Sequence, residues 1–154
     1  MIKIIICFTK FIIVALAALL FASCNFSSNF KSINGSGNVI TEKRNVQGNF
    51  ENVSVSNAID LVIEQSDKTE ITVEADDNLI NKITTKIEGN TLVIKCNYNT
   101  FNNIKSKKVI VKMPNITNIK ASSASTVKSI NVIRGEDINL DASSAADMNM
   151  NIES

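Results

Sequence analysis

This 154-residue sequence predicts an all-β fold, a β-solenoid with three-sided, β-helix-like rungs of about 21 residues. Three observations predict it: short segments in which apolar and polar residues alternate, turn residues confined to the gaps between them, and one internal repeat at a spacing of 21. Two similar strand-turn units in a β-sandwich are the alternative.

Residues 1–23 stand apart from that pattern. They hold 19 apolar residues, and without them roughly 49 of 131 remain apolar, which is ordinary for a folded domain. Lys3 and Lys10 precede an unbroken apolar run over residues 11–22, which exits through the small pair Ala22-Ser23. That order describes a cleaved secretory signal peptide, and the run is well short of the ~20 residues a bilayer span needs. The near-apolar stretch from Ile2 leaves a marginal anchor helix as the alternative. Leu20-Phe21-Ala22-Ser23-Cys24 resembles a lipobox, with Phe21 where an aliphatic residue is usual. Lipid on Cys24 would anchor the mature chain in the outer membrane of the cell envelope, and two or more acyl chains make such anchoring stable. An ordinary signal followed by an unmodified Cys is the other reading. Residues 24–32, rich in Asn and Ser, read as the lipid-attached tether. They carry no Asp or Glu, which favours the periplasmic side over the cell surface.

The folded domain is expected over residues 33–154. Residues 59–64, 71–75, 92–95, 108–113 and 138–142 alternate with period two, each a strand with one buried face. Gly35, Gly37, Gly48, Gly89 and Gly135 fall between such segments, and Pro114 ends one. Gly89-Asn90 marks a two-residue hairpin. Helical spacing is confined to residues 76–81, one short turn with Asp76 placed to cap it. Cys7 leaves with the signal and Cys24 is assigned to lipid, so Cys96 stands alone and no disulfide forms. It is in phase with Leu92 and Ile94, as a buried and inert thiol would be.

The repeat sets Asn118-Ile119-Lys120-Ala121-Ser122-Ser123-Ala124-Ser125-Thr126-Val127 against Asn139-Leu140-Asp141-Ala142-Ser143-Ser144-Ala145-Ala146-Asp147-Met148, with five identities in ten. The small residues Ala121, Ser122, Ser123 and Ala124 thus match Ala142, Ser143, Ser144 and Ala145. In a solenoid such pairs lie about 4.8 Å apart, Ala121 on Ala142 and Ser123 near Ser144. A narrow corner admits only small side chains, and Ser or Asn can form ladders along the axis. Residues 53–58 are a fainter echo.

Composition excludes several function classes. With no His, the commonest general base and zinc ligand are missing, and so is every Ser-His or Cys-His pair. The net charge of +1 becomes −1 without Lys3 and Lys10, and no basic stripe with interleaved aromatics appears, which argues against nucleic acid.

Ile33-Asn34-Gly35-Ser36-Gly37-Asn38-Val39, Arg44-Asn45-Val46, Gly48-Asn49-Phe50-Glu51-Asn52-Val53, Asn90-Thr91-Leu92-Val93-Ile94, Met113-Pro114 and the Ala-Ser-Ser-Ala repeats resemble the putative auto-transporter adhesin, head GIN domain family. The resemblance spans residues 33–154. It implies a secreted, often lipid-anchored β-solenoid of unestablished function. Members usually continue through further rungs, so a chain stopping in mid-pattern at residues 151–154 is expected to be truncated at its C-terminus.

No catalytic residue, metal site or cofactor is expected. Asp76-Asp77 lacks the spaced Asp/Asn series of calcium loops. The expected function is non-enzymatic: a lipid-anchored adhesin or binding scaffold whose partner is polysaccharide or an envelope protein, besides the membrane reached through the lipid. The alternatives are a carbohydrate-active enzyme using carboxylates around Asp137 and Asp141, near Arg134 and Glu136, or a purely structural spacer.

Overall fold

The computed structural model describes residues 10, 12–13, 31–98 and 100–153. Cys24 and nearly all of the signal and tether segments lie outside the described residues. No helix among the described residues is long and apolar enough to cross a membrane.

The chain enters through β1 (Ser32–Asn34) and β2 (Val39–Arg44). β3 (Asn52–Val55), β4 (Asp60–Gln65) and β5 (Glu70–Asp76) follow, then the single-turn helix α1 (Asp77–Ile80). Next come β6 (Ile83–Glu88), β7 (Thr91–Cys96), β8 (Thr100–Asn102) and β9 (Lys107–Met113). The short strands β10 (Asn118–Ala121), β11 (Thr126–Ser129) and β12 (Ile133–Arg134) are followed by β13 (Asn139–Ala142), β14 (Asp147–Asn149) and β15 (Ile152–Glu153).

These strands form four open sheets, ordered β13-β10-β3-β7-β6, β14-β11-β4-β9-β5-β2, β12-β15 and β1-β8. Parallel pairing dominates the middle of both large sheets. Asn118 pairs with Asn139 and Thr126 with Asp147, 21 positions apart on both sides. Ile133 pairs with Ile152. The strands below, however, are not the preceding ones in sequence: β10 lies on β3, with Asn118 beside Asn52, and β3 lies on β7, with Asn52 beside Thr91. The layer holding β3 and β4 therefore sits between that of β7 and β9 and that of β10 to β12. Antiparallel strands close one end of the stack. β6 folds back on β7 through the Gly89-Asn90 turn, and β5 and β2 continue outward from β9.

Alternation explains which face each strand buries. Leu92, Val53 and Ile119 pair along one column and Ile94, Val55 and Ala121 along the next, all buried. Val109, Leu61 and Val127 form the facing column, extended by Val73 on β5. A fully buried Leu or Ile contributes about 1.5–3 kcal/mol, so these columns supply most of the driving force. Cys96 ends the β7 row as a buried free thiol, and burial pushes its pKa up. At the far end the pattern persists without cover: Leu140 is 44% exposed and Ile152 36%, although both lie in line with buried residues one layer down.

Two side chains tie the layers together. The Gln65 carboxamide donates to the carbonyls of Pro114 at 3.0 Å and Arg134 at 2.9 Å, and accepts the Arg134 amide at 2.8 Å. Asp76 stands at the N-cap position of α1, as its place in the sequence suggests, but its side chain makes no cap hydrogen bond there. Its carboxylate is held instead by the amides of Gly37, Lys105 and Ser106, each at 2.9 Å.

Candidate functional site

The repeated small residues lie at the corner between the two large sheets. Ala121 on β10 is beside Ala142 on β13, and the amides of Ser122 and Ser143 donate to the carbonyls of Val55 and Ala121 at 3.0 Å. Ser123 and Ala124, like Ser144 and Ala145, are left-handed, with φ between 51° and 64°. Asn57 and Ala58 adopt the same conformation one layer below. The corners are bonded to one another: the Ala58 amide donates to Ser123 at 2.8 Å and the Ala124 amide to Ser144 at 3.0 Å. These eight residues are thus backbone-forming, and their side chains offer no converging chemistry.

The outward face of the first sheet is richer. Pairing places Thr91, Asn52, Asn118 and Asn139 in one row and Val93, Ser54, Lys120 and Asp141 in the next. Strands repeat at about 4.8 Å, so the first row is a ladder of hydroxyl and carboxamide groups at fixed spacing. Thr117 donates to the Asn52 side chain at 2.7 Å. A shallow groove of about 320 Å³ runs over this surface, lined by Asn52, Ser54, Thr91, Asn118 and Lys120, with Glu88 at its rim. Lys120 is ion-paired with Asp141 at 3.0 Å, both half-exposed.

The two carboxylates considered for catalysis do not line a common groove. Asp137 lines a corner groove of about 350 Å³ with Glu51, Thr117, Arg134 and Glu136, whereas Asp141 faces outward from β13. Arg134 is engaged by Glu153 at 2.8 Å. A larger depression, about 440 Å³, has Lys43 and Arg44 in its wall, but they pair with Glu70 at 2.8 Å and Glu42 at 3.0 Å. Among the described residues no group of three or more His, Cys, Asp or Glu is gathered as a metal site. Burial would raise the Asp76 carboxyl, but its amide hydrogen bonds outweigh that and hold it below the ordinary 3.8. Saturated in this way, it has little capacity left for a cation.

The Asn118 and Asn139 pair is visible in the repeat and the faint echo at residues 53–58 sets Asn52 against Asn118, but nothing in the sequence aligns Thr91 with them. The separations follow no single period, because β3, earliest in the chain, lies between β7 and β10.

Crystal structures of bacterial proteins share this fold. A protein described as a putative adhesin from Bacteroides fragilis aligns with TM-score 0.67 and 19% identity, covering 79% of this chain and 58% of its own. A putative lipid binding protein from Parabacteroides distasonis gives TM-score 0.64 and 20% identity, covering 73% and 49%. A putative adhesin from Parabacteroides merdae gives 0.63 and 19%, covering 73% and 47%. The chain thus spans about half the length of these proteins. No curated protein matches it. The family model for the putative auto-transporter adhesin, head GIN domain, matches residues 49–154, which hold the corners, the ladder and the groove, and the chain belongs to that family.

Proposed function

We propose that this protein is a non-enzymatic, lipid-anchored adhesin or binding scaffold of the cell envelope, built as a β-solenoid, with the Thr91, Asn52, Asn118, Asn139 ladder as its contact surface. The single observation that carries the reading is that ladder: uncharged donors and acceptors repeating at strand spacing along an open groove. Such a surface suits a polymer with its own regular hydroxyl or amide groups, a polysaccharide or an extended segment of an envelope protein. The solenoid reading is supported by parallel pairing at a shared offset of 21 on two sides, whereas sandwiches are built from antiparallel sheets. The adhesin description of the family and the lipobox at residues 20–24 favour an extracytoplasmic location.

An enzyme using Asp137 and Asp141 is disfavoured because the two line no common groove. Two carboxyls acting on one glycosidic bond must face a common groove.

The test is a glycan array probed with the full chain and with the Asn52→Ala, Asn118→Ala variant. Glycan binding that weakens about tenfold in the variant supports the reading, since each lost hydrogen bond is worth roughly 1 kcal/mol. No reproducible hit, together with no envelope protein crosslinked through this face, leaves a structural spacer. Anchoring is tested separately by metabolic labelling with a clickable fatty acid: wild type should label and Cys24→Ala should not.

A further inference from the structure

The lysines of this domain differ in their surroundings. On the second sheet most are neutralised by carboxylates on neighbouring strands, Lys108 by Glu74 at 2.8 Å, Lys112 by Glu64 at 3.0 Å and Lys107 by Asp60 at 3.3 Å, with Lys128 on β11 the exposed exception among the described residues. At the β6 end of the first sheet they are not. Among the described residues no carboxylate lies within salt-bridge distance of Lys31, Lys82, Lys86 or Lys95, and all four are exposed. Lys31 and Lys82 line one depression of about 260 Å³ with Thr84 and Tyr98. Thr84 is opposite Lys95 and donates to its carbonyl at 3.0 Å, and Lys86 lies two residues along β6 on the same face. The carboxylates nearby are few. Glu42 and Glu70 are in ion pairs, Asp76 is buried, Asp77 accepts from Asn38, and Glu88, two residues from Lys86 on the same face of β6, is not within salt-bridge distance of it.

This is also the end at which the chain enters the fold. β1 pairs with β8, the Thr100 amide donates to the Lys31 carbonyl at 3.3 Å, and β2 and β6 are the outermost strands there. The apolar residues 1–23 and Cys24 precede Lys31 closely, and the seven residues from Cys24 to Lys31 can span no more than roughly 25 Å.

We propose that the patch formed by Lys31, Lys82, Lys86 and Lys95 is a second membrane contact that seats the domain on anionic lipid headgroups. The stack then stands away from the bilayer, with β6 at the membrane and the Asn ladder on β3, β10 and β13 directed outward. The inference rests on the anchored reading for a membrane segment before Lys31, supplied by lipid on Cys24 or by the apolar residues themselves. One anchor alone leaves the domain free to swivel. Basic side chains within a Debye length, about 8 Å at physiological salt, are drawn to an anionic surface and fix its orientation.

The full chain is reconstituted into phosphatidylcholine vesicles with and without phosphatidylglycerol, and lysine acetylation is followed residue by residue by mass spectrometry. Lys82, Lys86 and Lys95 should label about fivefold more slowly in the anionic vesicles, and the protection should vanish at high salt. Lys128, exposed on β11 towards the other end, is the internal control and should label alike in both. Equal labelling of the three lysines in both vesicles, or equal protection of Lys128, overturns the proposal. So does protection that appears only on adding an acidic polysaccharide, which would make the patch a glycan contact. A chain that floats with neither vesicle defeats the anchored reading along with this one. A chain that floats with both but labels equally defeats this one alone.

Discussion

The Asp76 carboxylate accepts the Gly37 amide at 2.9 Å, joining residues 39 apart in sequence across the entry loop of the fold. The same carboxylate takes the amides of Lys105 and Ser106, so one buried charge satisfies three backbone donors from two loops. Removing it strands those donors. Asp76→Asn should cost about 3 kcal/mol, which for a domain of this size lowers Tm by about 10 °C. Gly35→Ala probes the same junction from the other side. A Cβ there would lie 2.5 Å from both the Asn103 carbonyl and Asp76 Oδ2 and 2.8 Å from the Ile104 Cα, and the backbone atoms cannot yield. It should cost about 2 kcal/mol, less than additively with Asp76→Asn, as thermal melts of the double variant would reveal.

Acid should loosen the same junction. Glu74 is held below its ordinary 4.5 by hydrogen bonds from Lys108 and from the Ser106 hydroxyl, and Asp76 below 3.8 by its amides despite burial. Carboxyls depressed in the fold stabilise it above their unfolded values. That stabilisation is lost as the pH falls through the lower folded values. Urea midpoints should therefore be flat near neutrality and decline below about pH 4.5. In Asp76→Asn the decline should be shallower, because the substituted side chain no longer titrates. Equal slopes for wild type and variant would contradict this account.

The strands were legible because burial on one face forces a period of two. Leu61 and Ile63, Val109 and Val111, and Leu92, Ile94 and Cys96 all show it. What the sequence hid was the order of the layers. β10 rests on β3, 66 positions earlier, and β3 rests on β7, 39 positions later, so no single period links them. The echo at residues 53–58 is faint because only the conformation is kept: Asn57-Ala58 and Ser123-Ala124 share left-handed φ values with one common residue type. The Asp76 side chain does not make the cap hydrogen bond its position suggests, since its partners come from loops far along the chain, which propensity beside its own helix does not describe. Of the candidate site, the Asn118 and Asn139 step can be read from the repeat and the Asn52 step from its faint echo; the Thr91 step required the fold.

Corner geometry makes a prediction in the opposite direction. Ala124 is exposed with φ at 59°, a conformation that costs an L-residue roughly 1–2 kcal/mol. Glycine adopts it freely but gives up more entropy on folding, roughly 0.5–1 kcal/mol. Ala124→Gly should therefore stabilise by about 0.5 kcal/mol, and Ala145→Gly similarly, since no buried contact is lost. Ala124→Val should destabilise by more than 1 kcal/mol or so, because a β-branched side chain is strained at positive φ. Denaturation midpoints of the two Ala124 variants should thus move apart. If both fall, the corner is not held in this conformation in solution.

Two polar side chains in adjoining layers should respond oppositely to removal. Ser125 is fully buried and its hydroxyl has no partner among the described residues, while Ile59 occupies the matching position one layer below and Ala146 one layer above. Ser125→Ala deletes an unpaired buried hydroxyl at almost no loss of volume, and should stabilise by about 1 kcal/mol. Gln65 is the reverse case. Its carboxamide bridges the carbonyls of Pro114 and Arg134 and accepts an amide in return, so each of its polar atoms is used across three layers. Gln65→Met keeps the length and the apolar stem but strands those groups, and should destabilise by about 2 kcal/mol. Amide hydrogen exchange locates the effect: in Gln65→Met, faster exchange should be greatest in β12 and β15, since the side chain holds both the amide and the carbonyl of Arg134, while β7 and β9 keep their protection.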